Sequence, residues 1–440
     1  MEVQKTTLDS ERCEERRKEI EKARNRLELA KKYQNKEKEA SAYYDLAWLY
    51  YHVGDYTQST TYGKNLQKIS KKMMCKEFEA KAYEVLAWAY KDYGDYKKSK
   101  KFSKKLLRIS KELDDMQLKA SAHEVLALSF FHVKEYKESI AEGKKLLIIS
   151  EQLREHRKKA KSFDVLAWSY LMEKRCVDSI KYGKLLLSIS EKLHDMKMEI
   201  SAREVLALSF QDLNSYKQSE EHGKKLLGIS QKIGDKAHEK TACEILAWSC
   251  YEQGDYRRSK EYGKDLLSIS KKLGSKKEEV QACDVLAKSY CKEGNEQERR
   301  NYTEKLLRIS KELREKKREA EACKVLAESY YQERDSEQSR KYGQELLRIS
   351  EELGDKELKS KACGFLGWSD SELEKYEQSK ENSKESPRFA KEKGDKNLEA
   401  EASGCSGKPE NFRKISRLSE NEISDFLTKT ERREFQIKSF

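Results

Sequence analysis

Residues 76–115 read KEFEAKAYEVLAWAYKDYGDYKKSKKFSKKLLRISKELDD, and this pattern of 40 residues recurs along the chain. Leucine occupies the place of Leu86 in nine successive copies, with no insertion or deletion between them. These leucines are Leu46, Leu86, Leu126, Leu166, Leu206, Leu246, Leu286, Leu326 and Leu366. A fixed period of roughly 20–50 residues is typical of repeat architectures. We therefore expect nine repeats of 40 residues that fill residues 36–395.

Each repeat is predicted to contain two helices. Ala82, Leu86 and Tyr90 follow helical rather than strand spacing. Gly94 then suits a left-handed helix end, and Asp95 is a good N-cap for the helix that follows. Helices of about 15 residues are marginal alone, so their stability must come from stacking on neighbours. The pattern predicts an all-α protein, an α-solenoid of helix-turn-helix repeats.

Composition excludes several other classes of protein. Charged residues make up 39% of the 440 residues, and proline occurs only twice. No apolar run approaches the roughly 18 residues of a membrane-spanning helix. The first 22 residues, MEVQKTTLDSERCEERRKEIEK, have no apolar core, so we expect no secretory signal and a cytoplasmic protein.

The sequence predicts neither an enzyme nor a metal site. The ten cysteines form no closely spaced pair and the seven histidines are scattered. Four cysteines recur in phase and are predicted to be small buried residues: Cys243, Cys283, Cys323 and Cys363. No dinucleotide loop, nucleophile elbow or ligand set is present, so we expect no cofactor and no catalytic residue.

The repeat resembles a tetratricopeptide repeat, in the 40-residue version found in Pins/LGN-type scaffolds. The shared features are the Leu-Ala pair, the tyrosine three residues after the alanine, the GDY turn and the LLxIS segment, over residues 36–395. The resemblance implies a right-handed superhelix that binds partners in a concave groove. Two features differ from the family, because serine replaces an alanine of the second helix and the groove asparagine is missing.

A small residue recurs inside the second helix of every repeat. It is glycine in six of them: Gly63, Gly143, Gly183, Gly223, Gly263 and Gly343. Glycine inside a helix costs about 1 kcal/mol relative to alanine. We therefore expect a close approach between helices at this point of each repeat.

All five tryptophans stand at one phase of the repeat, two residues after the repeated leucine. The column reads Trp48, Trp88, Leu128, Trp168, Leu208, Trp248, Lys288, Glu328 and Trp368. It lies roughly 160° around the first helix from the face that packs within the repeat. The resemblance places this position on the concave groove, and packing between adjacent first helices is the alternative.

An acidic column stands four residues before six members of the tryptophan column. Its residues are Glu84, Glu124, Asp164, Glu204, Glu244 and Asp284. Residues four apart lie side by side on a helix. We therefore predict a peptide-binding groove formed by Trp48, Trp88, Leu128, Trp168, Leu208 and Trp248 with these acids. Its ligand would be a protein or peptide with apolar and basic side chains.

The net charge of +13 raises nucleic acid as an alternative partner. Acids beside the tryptophans would repel phosphate, so RNA or another nucleic acid would have to use the basic outer surface of the second helices. The preferred hypothesis is a non-catalytic scaffold or adaptor that binds protein, and nucleic-acid binding is the alternative.

The two ends of the chain depart from the repeat. Residues 1–35 are predicted to form an N-terminal capping helix through Leu27, Leu29 and Ala30. Pro387 replaces a leucine and is expected to shorten the last helix. Residues 396–410 are expected to be a degenerate repeat or linker, and residues 411–440 an amphipathic helical tail. That tail would cap the array or lie in the groove as an intramolecular ligand.

Overall fold

A computed structural model describes residues 2–393, which form nineteen α-helices and no strand. The predicted linker at 396–410 and tail at 411–440 lie outside the described residues. The helix α1 (Glu2–Lys32) comes first, and nine helix pairs follow it. The first helices of the pairs are α2 (Lys36–Val53), α4 (Lys76–Asp92), α6 (Met116–His132), α8 (His156–Met172), α10 (Met196–Asp212), α12 (Lys236–Glu252), α14 (Lys276–Lys292), α16 (Lys316–Glu333) and α18 (Lys356–Glu372). The second helices are α3 (Tyr56–Lys72), α5 (Tyr96–Glu112), α7 (Tyr136–Gln152), α9 (Cys176–Leu193), α11 (Tyr216–Ile233), α13 (Tyr256–Lys272), α15 (Glu296–Leu313), α17 (Ser336–Leu353) and α19 (Tyr376–Lys393).

The chain divides into two compact units. Unit 1 is Met1–Asp235 and contains α1 to α11, whereas unit 2 is Lys236–Phe440 and contains α12 to α19 among its described residues. Within each unit, helices adjacent in sequence pack against each other as a tandem stack. The protein is therefore an all-α solenoid, as the 40-residue period predicts.

The loops between helices have the predicted chemistry. Gly54 ends α2 with a left-handed backbone, at φ +85°. The carboxylate of Asp55 accepts a hydrogen bond of 2.9 Å from the backbone N–H of Gln58, and so caps α3. Asp95 caps α5 in the same way, through the backbone N–H of Lys98. These turns join each helix to the next through two or three residues.

The core repeats with the sequence. The nine leucines of the repeat are buried, and the alanine after each of the first eight is buried too. The four in-phase cysteines are buried and unpaired with one another, as predicted. Burial raises the pKa of Cys243 and Cys323 to about 12, so these thiols behave as small apolar groups.

The second-helix glycines lie against the core leucine of the next repeat. A Cβ built on Gly63 would stand 2.9 Å from Leu86 Cδ2, and one on Gly183 would stand 3.0 Å from Leu206 Cδ2. Real Cβ atoms essentially never come within 3.0 Å of another atom, and contacts of 3.0–3.4 Å are tighter than nine in ten that they make. The prediction of a close helix approach at these positions is confirmed.

The serine that replaces the family's alanine forms a buried hydrogen-bonded ladder. The hydroxyl of Ser139 donates to the carbonyl of Ala127 in its own repeat, at 2.8 Å. It also lies 2.9 Å from the hydroxyl of Ser169 on the first helix of the next repeat. The same arrangement links Ser99 to Ser129 and Ser179 to Ser209. A buried hydroxyl needs such partners, and here they join neighbouring repeats.

The described ends of the array differ in part from expectation. In α1, Ala23 and Leu27 are buried in a cluster with residues of α2 and α3, and Ala30 is buried as well, which supports a capping role. Leu29, which was also expected to contribute to the cap, is exposed instead. The helix α19 continues through Pro387 to Lys393 and has 18 residues, which is as long as the other second helices. The proline removes one N–H donor, and this loss does not end the helix.

Candidate functional site

The predicted site lies on the face formed by successive first helices. In unit 1, α2 contacts α4, α4 contacts α6, α6 contacts α8 and α8 contacts α10, whereas neighbouring second helices stay farther apart. The first helices are thus the more closely spaced layer. The six groove residues predicted from the tryptophan column are all half-buried, as are five of the six acids.

Two tryptophans bridge adjacent first helices through a serine. The indole Nε1 of Trp168 donates to the hydroxyl of Ser201 at 2.9 Å, and that hydroxyl donates to Asp164 Oδ1 at 2.5 Å. Trp88 donates in the same way to Ser121, whose hydroxyl is hydrogen-bonded to the Glu84 carboxylate. Each such site therefore joins an acid and a tryptophan on one helix to a serine on the next.

The acids of these bridges are costly to ionise. Burial raises the pKa of Glu84 above its ordinary value, although its hydrogen bond to Ser121 and the charge of Lys158 act in the opposite direction. Burial raises the pKa of Asp164 as well, although its hydrogen bond to Ser201 acts to lower it. Neither carboxylate forms a salt bridge within the part of the chain that the structure describes. A cation brought by a ligand would therefore favour their ionised form.

Glu124 is paired differently from its neighbours. Its carboxylate is buried and accepts from Lys161 Nζ at 2.7 Å. Lys161 also lies 5.7 Å from the centre of the Trp88 ring, and Lys91 lies 4.8 Å from the same ring. The chain's own lysines thus lie over the Trp88 ring, and one of them also pairs with Glu124.

The first repeat contributes an aromatic cluster. Trp48 packs against Tyr44 edge-to-face, with ring centres 6.4 Å apart, and stacks on His52 at 5.8 Å. Tyr51 lies 5.1 Å from Trp48 and donates a hydrogen bond of 2.5 Å to the Asp92 carboxylate of the next repeat. The Nε1 of Trp48 is buried and has no hydrogen-bond partner among the described residues.

In unit 2 the tryptophan column is interrupted after Trp248, where Lys288 and Glu328 take the next two positions. Lys288 Nζ lies 4.8 Å from the centre of the Trp248 ring and forms a salt bridge of 3.1 Å with Asp284. Burial raises the pKa of Glu244, the acid one turn before Trp248. Asp284 is therefore paired within the chain, whereas Glu244 resembles Glu84 in its environment.

Sequence reasoning missed the residues that complete these sites. They stand 37 positions after each acid, at Ser121, Lys161 and Ser201. The signal was present, because serine or lysine fills this place in six of the nine repeats. The role of these residues could not be predicted, because it depends on the contact between one first helix and the next.

The described residues contain no cluster of side chains suited to a metal ion. None of the helices in residues 2–393 is both long and apolar enough to span a membrane.

Neither protein-family models nor curated protein sequences match this chain. Solved structures do resemble it. A signal-transduction ATPase with a tetratricopeptide repeat sensor from Pyrococcus horikoshii aligns with 83% of this chain and 55% of its own, at 17% identity and a TM-score of 0.60. This chain thus spans about half the length of that protein.

Two further solved structures align over nearly their whole length. The apo form of RapI aligns with 81% of this chain and 99% of its own, at 13% identity and a TM-score of 0.58. The apo quorum sensor NprR from B. thuringiensis aligns with 82% and 99%, at 15% identity and a TM-score of 0.53. At these identities the likeness concerns the fold alone. The chain has a tetratricopeptide-like helical repeat fold.

Proposed function

We propose that the first-helix face of unit 1 binds a protein segment that carries apolar and basic side chains, and that the protein is a non-catalytic scaffold. The observation that carries the proposal is the pair of half-buried carboxylates, Glu84 and Asp164, each beside a half-buried tryptophan. Both have a raised pKa and no salt bridge among the described residues. Solved proteins with a similar fold include a quorum sensor and an ATPase with a tetratricopeptide repeat sensor. The proposal itself is based on the residues of this chain.

The chemistry of the face suits such a ligand. Trp88 and Trp168 offer half-exposed rings for apolar side chains or for the faces of cationic groups. Glu84 and Asp164 lie four residues before these rings, on the same helix face. A lysine or arginine of the ligand would form a charge-assisted hydrogen bond to a carboxylate that is partly removed from water. Within the chain, Lys161 makes both kinds of contact that we propose for the ligand, because it pairs with Glu124 and lies over the Trp88 ring.

Fluorescence anisotropy with labelled twelve-residue peptides would test the proposal. A peptide of alternating leucine and arginine should bind the whole chain, and a leucine–glutamate peptide should not. The double variant Glu84→Gln, Asp164→Asn keeps the size of both side chains and should weaken binding by about tenfold or more. The matched control, Glu112→Gln with Asp178→Asn, removes two acids from second helices. Equal losses in the two double variants would reject the first-helix face as the site.

A second candidate function, nucleic-acid binding, is favoured by the charge of two neighbouring second helices. We define the α3–α5 basic face by the four cationic residues of α3 and the eight of α5, which are accompanied by a single acid, Glu112. Burial and the positive charges of Lys71 and Lys101 lower the pKa of Lys105, so the cations of the two helices crowd one another. Such a face fits a phosphate backbone, which is recognised by charge alone.

Binding of a labelled 20-base-pair RNA duplex at several salt concentrations would test this candidate. The triple variant Lys68→Glu, Lys101→Glu, Lys104→Glu should reduce the affinity and flatten the dependence of its logarithm on the logarithm of salt concentration. The control changes three lysines elsewhere, Lys272→Glu, Lys305→Glu and Lys341→Glu. If both triple variants lose affinity equally, the α3–α5 basic face is not the site.

A further inference from the structure

The tryptophan column is interrupted in unit 2, and a cavity lies at the interruption. Lys288 stands where the preceding repeat has Trp248. A cavity of about 360 Å³ lies between α14 and α16, with Gln281, Asp284 and Lys288 on one wall and Glu321, Ala322 and Val325 on the other. Its volume is within the usual range for ligand pockets, roughly 300–1,000 Å³.

The cavity lies at the position that corresponds to the indole of other repeats. In the second and fourth repeats, the indole reaches from one first helix to a serine 33 residues later on the next, Ser121 or Ser201. The residue 33 positions after Lys288 is Glu321, which lines the cavity. Neighbouring first helices contact each other closely at α12–α14 and at α16–α18, but α14 and α16 approach each other less closely. The cavity therefore occupies the space that an indole fills in other repeats.

The side chain of Lys288 leaves this space rather than filling it. It turns back toward the preceding repeat, where its Nζ lies 4.8 Å from the centre of the Trp248 ring and 3.1 Å from Asp284 Oδ2. The apolar part of the lining comes from Ala287, Leu306, Ala322 and Val325. The cavity thus has an apolar part to its lining, and Lys288 does not fill the space as an indole would.

The polar part of the lining suits an aromatic group with a hydrogen-bond donor. Arg299 lines the cavity, is buried, and is held by Glu296 through a salt bridge of 3.0 Å. A guanidinium fixed in this way can lie against the face of a ring. The carboxylate of Glu321 is exposed and stands at the position from which Ser121 and Ser201 accept an indole N–H. An indole would therefore find both a cation for its ring and an acceptor for its N–H.

We propose that this cavity binds the tryptophan side chain of a partner segment, whose indole N–H donates to Glu321. The source of the side chain rests on the proposed function, because that function gives the chain a protein segment as its ligand. The affinity of the cavity for an indole does not depend on that function. The argument for this occupant is that five other repeats have tryptophan at the position of Lys288, and in two of them, at Trp88 and Trp168, the indole reaches the next first helix.

Binding of N-acetyl-tryptophanamide to the whole chain, followed by saturation-transfer NMR and isothermal titration, would test the proposal. The probe should bind at one site, and N-acetyl-leucinamide should bind at least tenfold more weakly. Lys288→Trp fills the cavity from within, so it should weaken probe binding at least tenfold and raise the melting temperature. Lys272→Trp adds a tryptophan at an exposed position of α13 and should leave probe binding unchanged.

Two outcomes would overturn the proposal: probe binding that Lys288→Trp leaves unchanged, or equal binding of the leucine probe. If Lys288→Trp does not fold, Ala322→Leu narrows the same cavity from α16 and should give the same loss of probe binding. Glu84→Gln with Asp164→Asn should leave probe binding unchanged. This last variant separates a failure of the cavity from a failure of the proposed function.

Discussion

The indole Nε1 of Trp88 donates a hydrogen bond of 3.2 Å to the hydroxyl of Ser121, which lies on the first helix of the next repeat. Trp168 and Ser201 repeat the relationship at 2.9 Å. The tryptophan column therefore contributes to the interface between repeats as well as to the exposed face. Packing between adjacent first helices, one of the two interpretations that the sequence left open, is observed for these two tryptophans, whereas the peptide-binding groove stays a prediction.

Ser121→Ala should destabilise the protein. The substitution leaves the Nε1 of Trp88 and the carboxylate of Glu84 without their shared partner, and an unsatisfied buried polar group costs about 1–3 kcal/mol. Denaturation by urea, followed by circular dichroism, measures the change. Ser41→Ala is the control, because Ser41 occupies the same place in the first repeat but is exposed. Similar losses in both variants would mean that the bridge contributes nothing.

Lys81→Ser should stabilise the protein. Lys81 stands where Ser121 and Ser201 stand in later repeats, and the Nε1 of Trp48 has no partner among the described residues. A serine at position 81 would supply the acceptor, with a gain of up to about 1 kcal/mol in the free energy of unfolding. The same change in a Trp48→Phe background should give no gain. If Lys81→Ser raises the free energy of unfolding in both backgrounds, the stabilisation comes from removing the lysine and not from a hydrogen bond to Trp48.

Gly63→Ala and Gly228→Ala should change stability in opposite directions, although both glycines lie inside second helices. A Cβ at position 63 would stand 2.9 Å from Leu86 Cδ2, whereas one at position 228 would meet nothing within 4 Å. We expect Gly63→Ala to cost about 1–3 kcal/mol through overpacking. Gly228→Ala should gain up to about 1 kcal/mol from helix propensity. Melting temperatures of the two variants would decide, and a stabilised Gly63→Ala would contradict the close approach.

Ala89→Ser should complete the buried serine ladder at its open end. Ser59 is buried and its hydroxyl has no partner among the described residues, and Ala89 stands where later repeats have Ser129 or Ser169. The added hydroxyl should raise the free energy of unfolding by about 0.5–1.5 kcal/mol. In a Ser59→Ala background the gain should disappear. Chemical denaturation of the four proteins forms a double-mutant cycle for this pair.

Stability should fall as the pH drops from 7 toward 4, in part through His222. Burial and the charge of Arg203 lower the pKa of His222 to about 4, and the ring stacks on Phe210. Because the unfolded histidine takes up its proton near pH 6.5, protonation favours the unfolded chain at any pH below that value. The contribution of the neutral His222 to the free energy of unfolding is therefore fully present above about pH 6.5, and it decreases as the pH falls toward 4.

The variant His222→Tyr tests the role of this histidine. Tyrosine occupies the same place in neighbouring repeats, at Tyr182 and Tyr262. Glu221, Lys184 and Lys225 also act on His222, and they remain in the variant. Melting temperatures measured from pH 7.5 to pH 4.5 should fall less steeply for His222→Tyr than for the natural chain. Identical slopes would assign the pH dependence to other groups.

Much of the fold follows from the sequence because the forces that determine it are local or act between adjacent repeats. The spacing of Leu86 and its equivalents determines the period, and Gly94 with Asp95 determines where a helix ends and the next begins. A glycine at position 63 implies a close neighbour, and the structure identifies that neighbour as Leu86. Pro387 was the exception, because the cost of one missing donor depends on how the rest of the helix is held.

The chemistry of the candidate site was decided by tertiary structure. Helical spacing placed Glu84 beside Trp88, but it could not show that both share Ser121, since that contact crosses from one first helix to the next. Nor could it show that Lys288 would fold back on Trp248 and leave a cavity behind it. A one-dimensional period determines which side chains recur. Their lengths, and the space between neighbouring helices, determine which of them pair with each other and which remain for a partner.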